Sequence, residues 1–193
     1  MNKATIVKRP EDKVENGRIM QGDIFQNIEV IEDVITKPDG SVILKKITFP
    51  LVICLNQDCD LHTDYIHRTE NKSGSLLHLI VAPLFEVTSF REGKNWGDIL
   101  NMGDHINSGK FKPIKINNDP RYHYVVFPDS NMPELIIDFK YFFTVNRDAL
   151  YSRLNQKVCS VDDLFRELIN QRFCDYLSRI GLPEIEIDNK EQR

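Results

Sequence analysis

The chain has 193 residues, 41% of them hydrophobic and 28% charged, with a formal net charge of −4. That size and balance fit one domain with a real core. They exclude a surface devoted to non-specific nucleic-acid binding, which depends on basic side chains neutralising phosphates, and no apolar run is long enough to cross a bilayer as a helix.

Residues 1–18 are dominated by Lys, Arg, Asp and Glu, with Ile6, Val7 and Val14 the aliphatic exceptions. They are expected to form a flexible lead. They lack the apolar core of an export signal, so a cytoplasmic location and reduced thiols are expected. Cys54, Cys59, Cys159 and Cys174 form no Cys-x-x-Cys pair, which leaves a zinc ribbon without support.

A single α+β domain is expected over residues 19–183. Gly22-Asp23-Ile24-Phe25 opens a first strand running to Ile35, and Lys37-Pro38-Asp39-Gly40-Ser41 carries the residues of a tight turn. Val42 to Ile47 then returns as a second strand, closing a hairpin. Pro50 leads a third strand, Leu51 to Leu55, whose unbroken apolarity predicts burial on both faces. Residues 56–75 read as a polar loop, and Leu76 to Val81 as another buried strand closed by Ala82-Pro83, with Phe85 to Phe90 either continuing it or beginning a helix. One short helix is expected within 91–120, around Trp96, Ile99, Leu100 and Met102. Tyr122–Phe127 and Leu135–Val145 form a second expected hairpin around a turn at 128–133.

A C-terminal amphipathic helix is predicted over about 161–180. Ser160 is its expected cap, and Val161, Leu164, Phe165, Leu168, Phe173, Tyr176, Leu177 and Ile180 form its apolar stripe. Gly181 and Pro183 stop it, and 184–193 is a loose acidic tail. Strands followed by a helix imply an α+β fold with a small barrel or a sharply curled antiparallel sheet.

Three segments, Gly22-Asp23-Ile24-Phe25, Pro50-Leu51-Val52-Ile53-Cys54-Leu55-Asn56 and Leu79-Ile80-Val81-Ala82-Pro83-Leu84, resemble in order and spacing the PemK/MazF family of toxin ribonucleases. The likeness covers roughly residues 20–90. It implies a small curled β-barrel with helices, in a bacterial protein of a toxin or phage-defence type of system. The family's ribonucleases carry an Arg before the strand-leading Pro, where this chain has Phe49. They place a Thr shortly after the later Pro, where this chain has Leu84 and Phe85. An Arg stabilises charge developing on a phosphate and a Phe does not, so the resemblance implies the fold and not the ribonuclease activity.

The densest group of reactive side chains is Asn56 to His62, directly after a core strand. Asp58, Cys59, Asp60 and His62 are the candidate catalytic residues of a nuclease or other hydrolase. Asp58 and Asp60, two apart, would share a face if the chain stayed extended, with Asp23 joining them if the first strand lies alongside. Cys59, Asp60, His62 and His67 are zinc-ligating types, yet their spacing is cramped, so no metal and no cofactor are expected. Arg121, Tyr122 and Tyr124 interleave a base with aromatic rings, as a single-strand nucleic-acid platform does. Arg172 and Arg179 share a face of the last helix and complete the candidate nucleic-acid or partner surface. The net charge does not favour RNA, so the leading expectation is a binding component with a protein partner or a second copy of itself, and no membrane.

Overall fold

The structure, a computed structural model, describes residues 5–8, 17–70, 72–96, 103–127 and 132–179. Eight strands form one sheet: β1 (Thr5–Lys8), β2 (Asp23–Thr36), β3 (Val42–Cys54), β4 (His78–Glu86), β5 (Tyr122–Val126), β6 (Leu135–Asp138), β7 (Phe143–Asn146) and β8 (Lys157–Val161). Among the described residues five helices accompany them: α1 (Asp58–Thr69), α2 (Val87–Arg91), α3 (Ser108–Lys115), α4 (Arg147–Tyr151) and α5 (Asp163–Leu177). The strand order is β3-β2-β8-β1-β5-β6-β4-β7, and β4 also pairs with β3. Among the described pairings only β1–β5 is parallel. The fold is therefore mixed α and β on a largely antiparallel sheet. Among the described residues no helix is long and apolar enough to cross a membrane.

The continuous apolar runs follow from a sheet covered on both faces. Ile24, Ile53, Leu84, Val125 and Ile137 point to one side, where Ile169 and Phe173 of α5 pack on them. Their strand neighbours Phe25, Val52 and Cys54 point to the other, against Leu61 of α1 and Leu150 of α4. Further along that side Phe85, Tyr124 and Ile136 meet Phe90 and Trp96, with Phe111 and Ile114 of α3. Each fully buried aliphatic side chain contributes about 1.5–3 kcal/mol by leaving water.

The first hairpin forms as its turn residues dictate. Gly40 takes a left-handed φ of 80°, and Asp39 Oδ1 accepts from Ser41 N and Oγ. Its strands are longer than the apolar pattern indicates. The two expected pieces Val42–Ile47 and Leu51–Leu55 are one strand, β3, with Pro50 inside it. Only the first residues of β2 and the last of β3 lie in the body of the sheet. The rest, from Glu29 to Thr36 and from Val42 to Thr48, projects as a two-stranded arm with almost every residue exposed.

Several expectations are corrected. Residues 56–75 are not a loop, since α1 occupies Asp58–Thr69. Ala82-Pro83 does not close β4, which runs on to Glu86, and α2 follows at Val87–Arg91, so both readings of Phe85–Phe90 hold in part. The helix within 91–120 is α3, after the expected position; residues 97–102 lie outside those described. The expected second hairpin is broken after Asp138 by a 3-10 turn, Phe139–Tyr141, before β7. The expected lead contains β1, while the tail 184–193 lies outside the described residues.

Helix α5 is also corrected. Ser160 belongs to β8, and Asp162 caps the helix by accepting from Leu164 N at 3.0 Å. Its buried side is Ile169 and Phe173, with Phe165 and Tyr176 packed beside them. Leu164, Leu168 and Leu177 are exposed. Ile180 lies outside the described residues.

Candidate functional site

The Asn56–His62 cluster sits where β3 hands over to α1. Asp58 and Asp60 lie in the first turn of the helix, where the exposed N–H groups favour negative charge, and His67 and Arg68 lie in the last turn. Tertiary contacts hold the helix. Asp64, buried, accepts from Arg147 Nη1 (2.9 Å), Ser75 N (2.7 Å) and Leu76 N (2.8 Å).

Helical geometry disperses the expected catalytic group. Successive side chains turn by about 100°, so Asp58 and Asp60 diverge instead of sharing a face. Asp58 turns inward. Its Oδ2 lies 3.0 Å from Arg18 Nη2 and 4.0 Å from Arg166 Nη1. Its Oδ1 accepts from Gln21 N at 3.3 Å, and Asp58 N donates to Gln21 Oε1 at 3.3 Å. Cys59, Asp60 and His62 face solvent. The Cys59 thiol is 3.7 Å from Gln57 Oε1 and 3.8 Å from Asp60 Oδ1. Among the described residues no hydrogen bond joins Cys59 or Asp60 to His62. Asn56 is structural: its Oδ1 accepts from Ile80 N at 2.6 Å and ties the end of β3 to β4. Among the described residues no group of three His, Cys, Asp or Glu is placed to hold a metal ion.

Asp23 does neighbour β3 but belongs to a different group. It is fully buried; Lys157 Nζ lies 2.7 Å from its Oδ1, Ser160 Oγ donates to the same oxygen at 2.5 Å, and Met20 N donates to Oδ2 at 2.8 Å. The lysine contact is an ion pair without the alignment of a hydrogen bond. Burial raises the Asp23 pKa above the ordinary carboxylate value, with Lys157 and Ser160 opposing it. Burial likewise pushes the thiols of Cys54 and Cys159 up to about 12, leaving both unreactive.

Gly22 explains why this junction forms. Its N donates to Cys54 O at 2.9 Å and its O accepts from Val161 N at 3.0 Å, joining the ends of β3 and β8. Its φ is +81°, and a Cβ there would lie 2.9 Å from Val161 Cβ. Gly22→Ala is expected to cost about 1–2 kcal/mol from the left-handed backbone alone, with about 1–3 kcal/mol more from displaced packing. Urea unfolding of the variant measures this; an unchanged midpoint would show that the junction yields freely.

The expected basic and aromatic surface is largely committed to the fold. Arg121 forks onto the buried Asp138, Nε to Oδ1 at 2.8 Å and Nη2 to Oδ2 at 2.7 Å. Its guanidinium lies over the rings of Tyr122 and Tyr141. Tyr122 is half-buried with its ring against Phe90. Tyr124 is in the core, its backbone N and O bonded to the Asn117 side chain. Arg172 donates to three backbone carbonyls, of Asn117 (2.6 Å), Asp119 (2.6 Å) and Tyr122 (2.8 Å). Arg179 is exposed beside Tyr176.

The accessible features not read from the sequence are the projecting arm and a cleft at its base. On the arm Ile31, Val34, Ile35, Val42, Ile43 and Leu44 are each between 43% and 56% exposed. The register pairs Val34 with Leu44 on one face and Ile35 with Ile43 on the other, so both faces are apolar. The β3–β4 pairing ends at Leu51–Leu84, while β6 pairs with the other edge of β4 from Leu84 to Glu86. In the gap between the splayed strands lies a cleft of about 510 Å³ over Phe49, Phe85 and Trp96, with Glu86, Lys94 and Asn95 at its polar margin. The T-shaped Phe85–Trp96 pair, 4.8 Å between centroids, fixes the floor. The turn and the apolar residues of both strands read as a hairpin, and no local signal marks it as projecting from the sheet. No protein-family model matches the chain, and a search of curated proteins finds no relative.

Proposed function

We propose that this chain acts as a binding component whose partner is a protein held by the arm and the adjoining cleft, on a curled, PemK/MazF-like barrel. The pairing of β4 with both β3 and β6 supports the curl. The arm carries the functional argument. A lone two-stranded ribbon is marginal in water, and contiguous apolar surface on its two faces is the mark of an interaction site. The dispersal of Cys59, Asp60 and His62 over a solvated helix turn speaks against the hydrolase alternative.

The test is affinity purification of the tagged chain from its source cells. Ile31→Ser with Leu44→Ser, on the solvated arm, is expected to abolish specific co-purification while circular dichroism stays native. Cys59→Ala with Asp60→Ala is expected to retain it. Specific RNA cleavage by the purified protein, lost on Asp60→Ala, would sink this reading in favour of the hydrolase.

A further inference from the structure

Resting on that interaction reading, we propose that the outer edge of β3, from Val42 to Phe49, takes an extended peptide segment of the partner as an added strand. The segment carries acidic residues opposite Lys45 and Lys46 and seats an apolar side chain in the cleft.

The edge itself selects an extended occupant. β3 pairs with β2 along one side from Val42 to Ile53, but with β4 on the other side only from Leu51 to Cys54. Among the described residues, Val42 to Pro50 therefore has no strand on its second side. Unpaired backbone N–H and C=O groups along an edge are a template for a further strand. The cleft opens at the base of this same edge, over Phe49 and Trp96, where one side chain of an added strand reaches it. The backbone groups and the apolar cleft are satisfied together by an extended polypeptide.

Charge fixes the pattern of that polypeptide. Between Val42 and Leu55 the chain has two lysines, Lys45 and Lys46, and no acidic residue. On the paired side β2 meets them with acids: Lys45 bonds Glu32 at 2.7 Å and Lys46 bonds Glu29 at 3.3 Å, with Val30, Ile31 and Val34 alongside. The outer side has the same two lysines and flanking apolar residues, so an apolar–acidic–apolar strand matches it too.

A second copy fits worse. Antiparallel pairing of two β3 edges about a two-fold axis near the middle of this segment sets Lys45 or Lys46 against its own counterpart, and like charges directly opposite one another destabilise a strand pair. The outer edge of β2 offers no better route. Its register is irregular between Ile31 and Asp33, and a bulge twists an edge away from further pairing.

Trp96, the only tryptophan, lies in the cleft floor and reports on occupancy. The experiment titrates the full chain with synthetic strand-forming octapeptides of Val, Ile, Thr and Phe whose central pair is Glu-Glu, Gln-Gln or Lys-Lys. It follows Trp96 emission and amide hydrogen exchange at residues 42–49. The Glu-Glu peptides are expected to bind about tenfold more tightly than the Lys-Lys peptides and to slow exchange along the edge. Lys45→Glu with Lys46→Glu is expected to reverse that preference, and Phe49→Ala to weaken all the peptides without altering their order. Absence of any emission or exchange change, or equal binding of the three classes, overturns the proposal. So does a free protein that sediments as a dimer with these amides already protected, since a second copy would then cover the edge. Peptide failure with co-purification still lost in the arm variant removes only the strand-addition proposal, whereas an arm variant that loses no partner removes the interaction reading as well.

Discussion

Lowering the pH from 7 to 5 is expected to cost the native state about 2 kcal/mol through His123 alone. His123 lies on β5 within the core, fully buried. Burial, helped by the nearby positive charge of Arg172, holds its pKa down at about 3 against the usual 6.5. As the pH falls below 6.5 the unfolded chain takes up a proton that the native imidazole refuses. The stability contributed by keeping His123 neutral is therefore complete above pH 6.5 and is lost progressively toward pH 3. Asp23 has the opposite sign. Its raised pKa lets the native state accept a proton before the unfolded chain does, so acid relieves its burial. Urea unfolding at pH 7 and pH 5 checks the prediction, with His123→Leu as the reference that cannot titrate. The wild type should lose about 2 kcal/mol more than the variant over that interval; equal losses would mean that the site accommodates an imidazolium.

The parts of the fold readable from sequence are those in which local chemistry and tertiary environment agree. Pro38, Asp39 and Gly40 specify a turn on their own, and Leu51–Leu55 is apolar on both faces because both faces are covered. Helix α1 was hidden because Leu61 is its only buried apolar residue. Its other anchors, Asp58 to Arg18 and Asp64 to Arg147, have partners distant in sequence. The same local polarity made Asp58, Cys59, Asp60 and His62 look like one site, although a helix points them apart. In α5 the cap lies at Asp162, two residues after Ser160, so Leu164, Leu168 and Leu177 face solvent and the inner line runs through Phe165, Ile169 and Phe173 at steps of four. The hairpin is legible from its turn but its projection is not, because apolar residues on both faces, Val34 with Leu44 and Ile35 with Ile43, read like those of a strand covered on both sides. The Asp23–Lys157–Ser160 group joins residues more than 130 positions apart and left no local signal.

Replacing Arg121 by Met is expected to destabilise the protein by about 3–5 kcal/mol, the cost of leaving a buried carboxylate without its partner. Asp138 is 1% exposed, and beyond the two bonds from Arg121 it accepts one from Lys140 N at 3.1 Å. Removing the guanidinium strands the charge, whereas Arg121→Met with Asp138→Leu removes both charges and should recover most of the loss. Arg121→Lys keeps the charge but cannot reproduce the planar fork or its packing over Tyr122 and Tyr141, so it should fall between. Thermal or urea unfolding of the three variants gives the order. The result also decides what Arg121 is for. An arginine whose Nε and Nη2 are held by a buried aspartate on β6 organises the β5–β6 pair and has its preferred two-pronged face already occupied. If Arg121→Lys instead unfolds like the wild type and loses affinity for single-stranded RNA, Arg121 belongs to a nucleic-acid surface and its pairing with Asp138 is secondary.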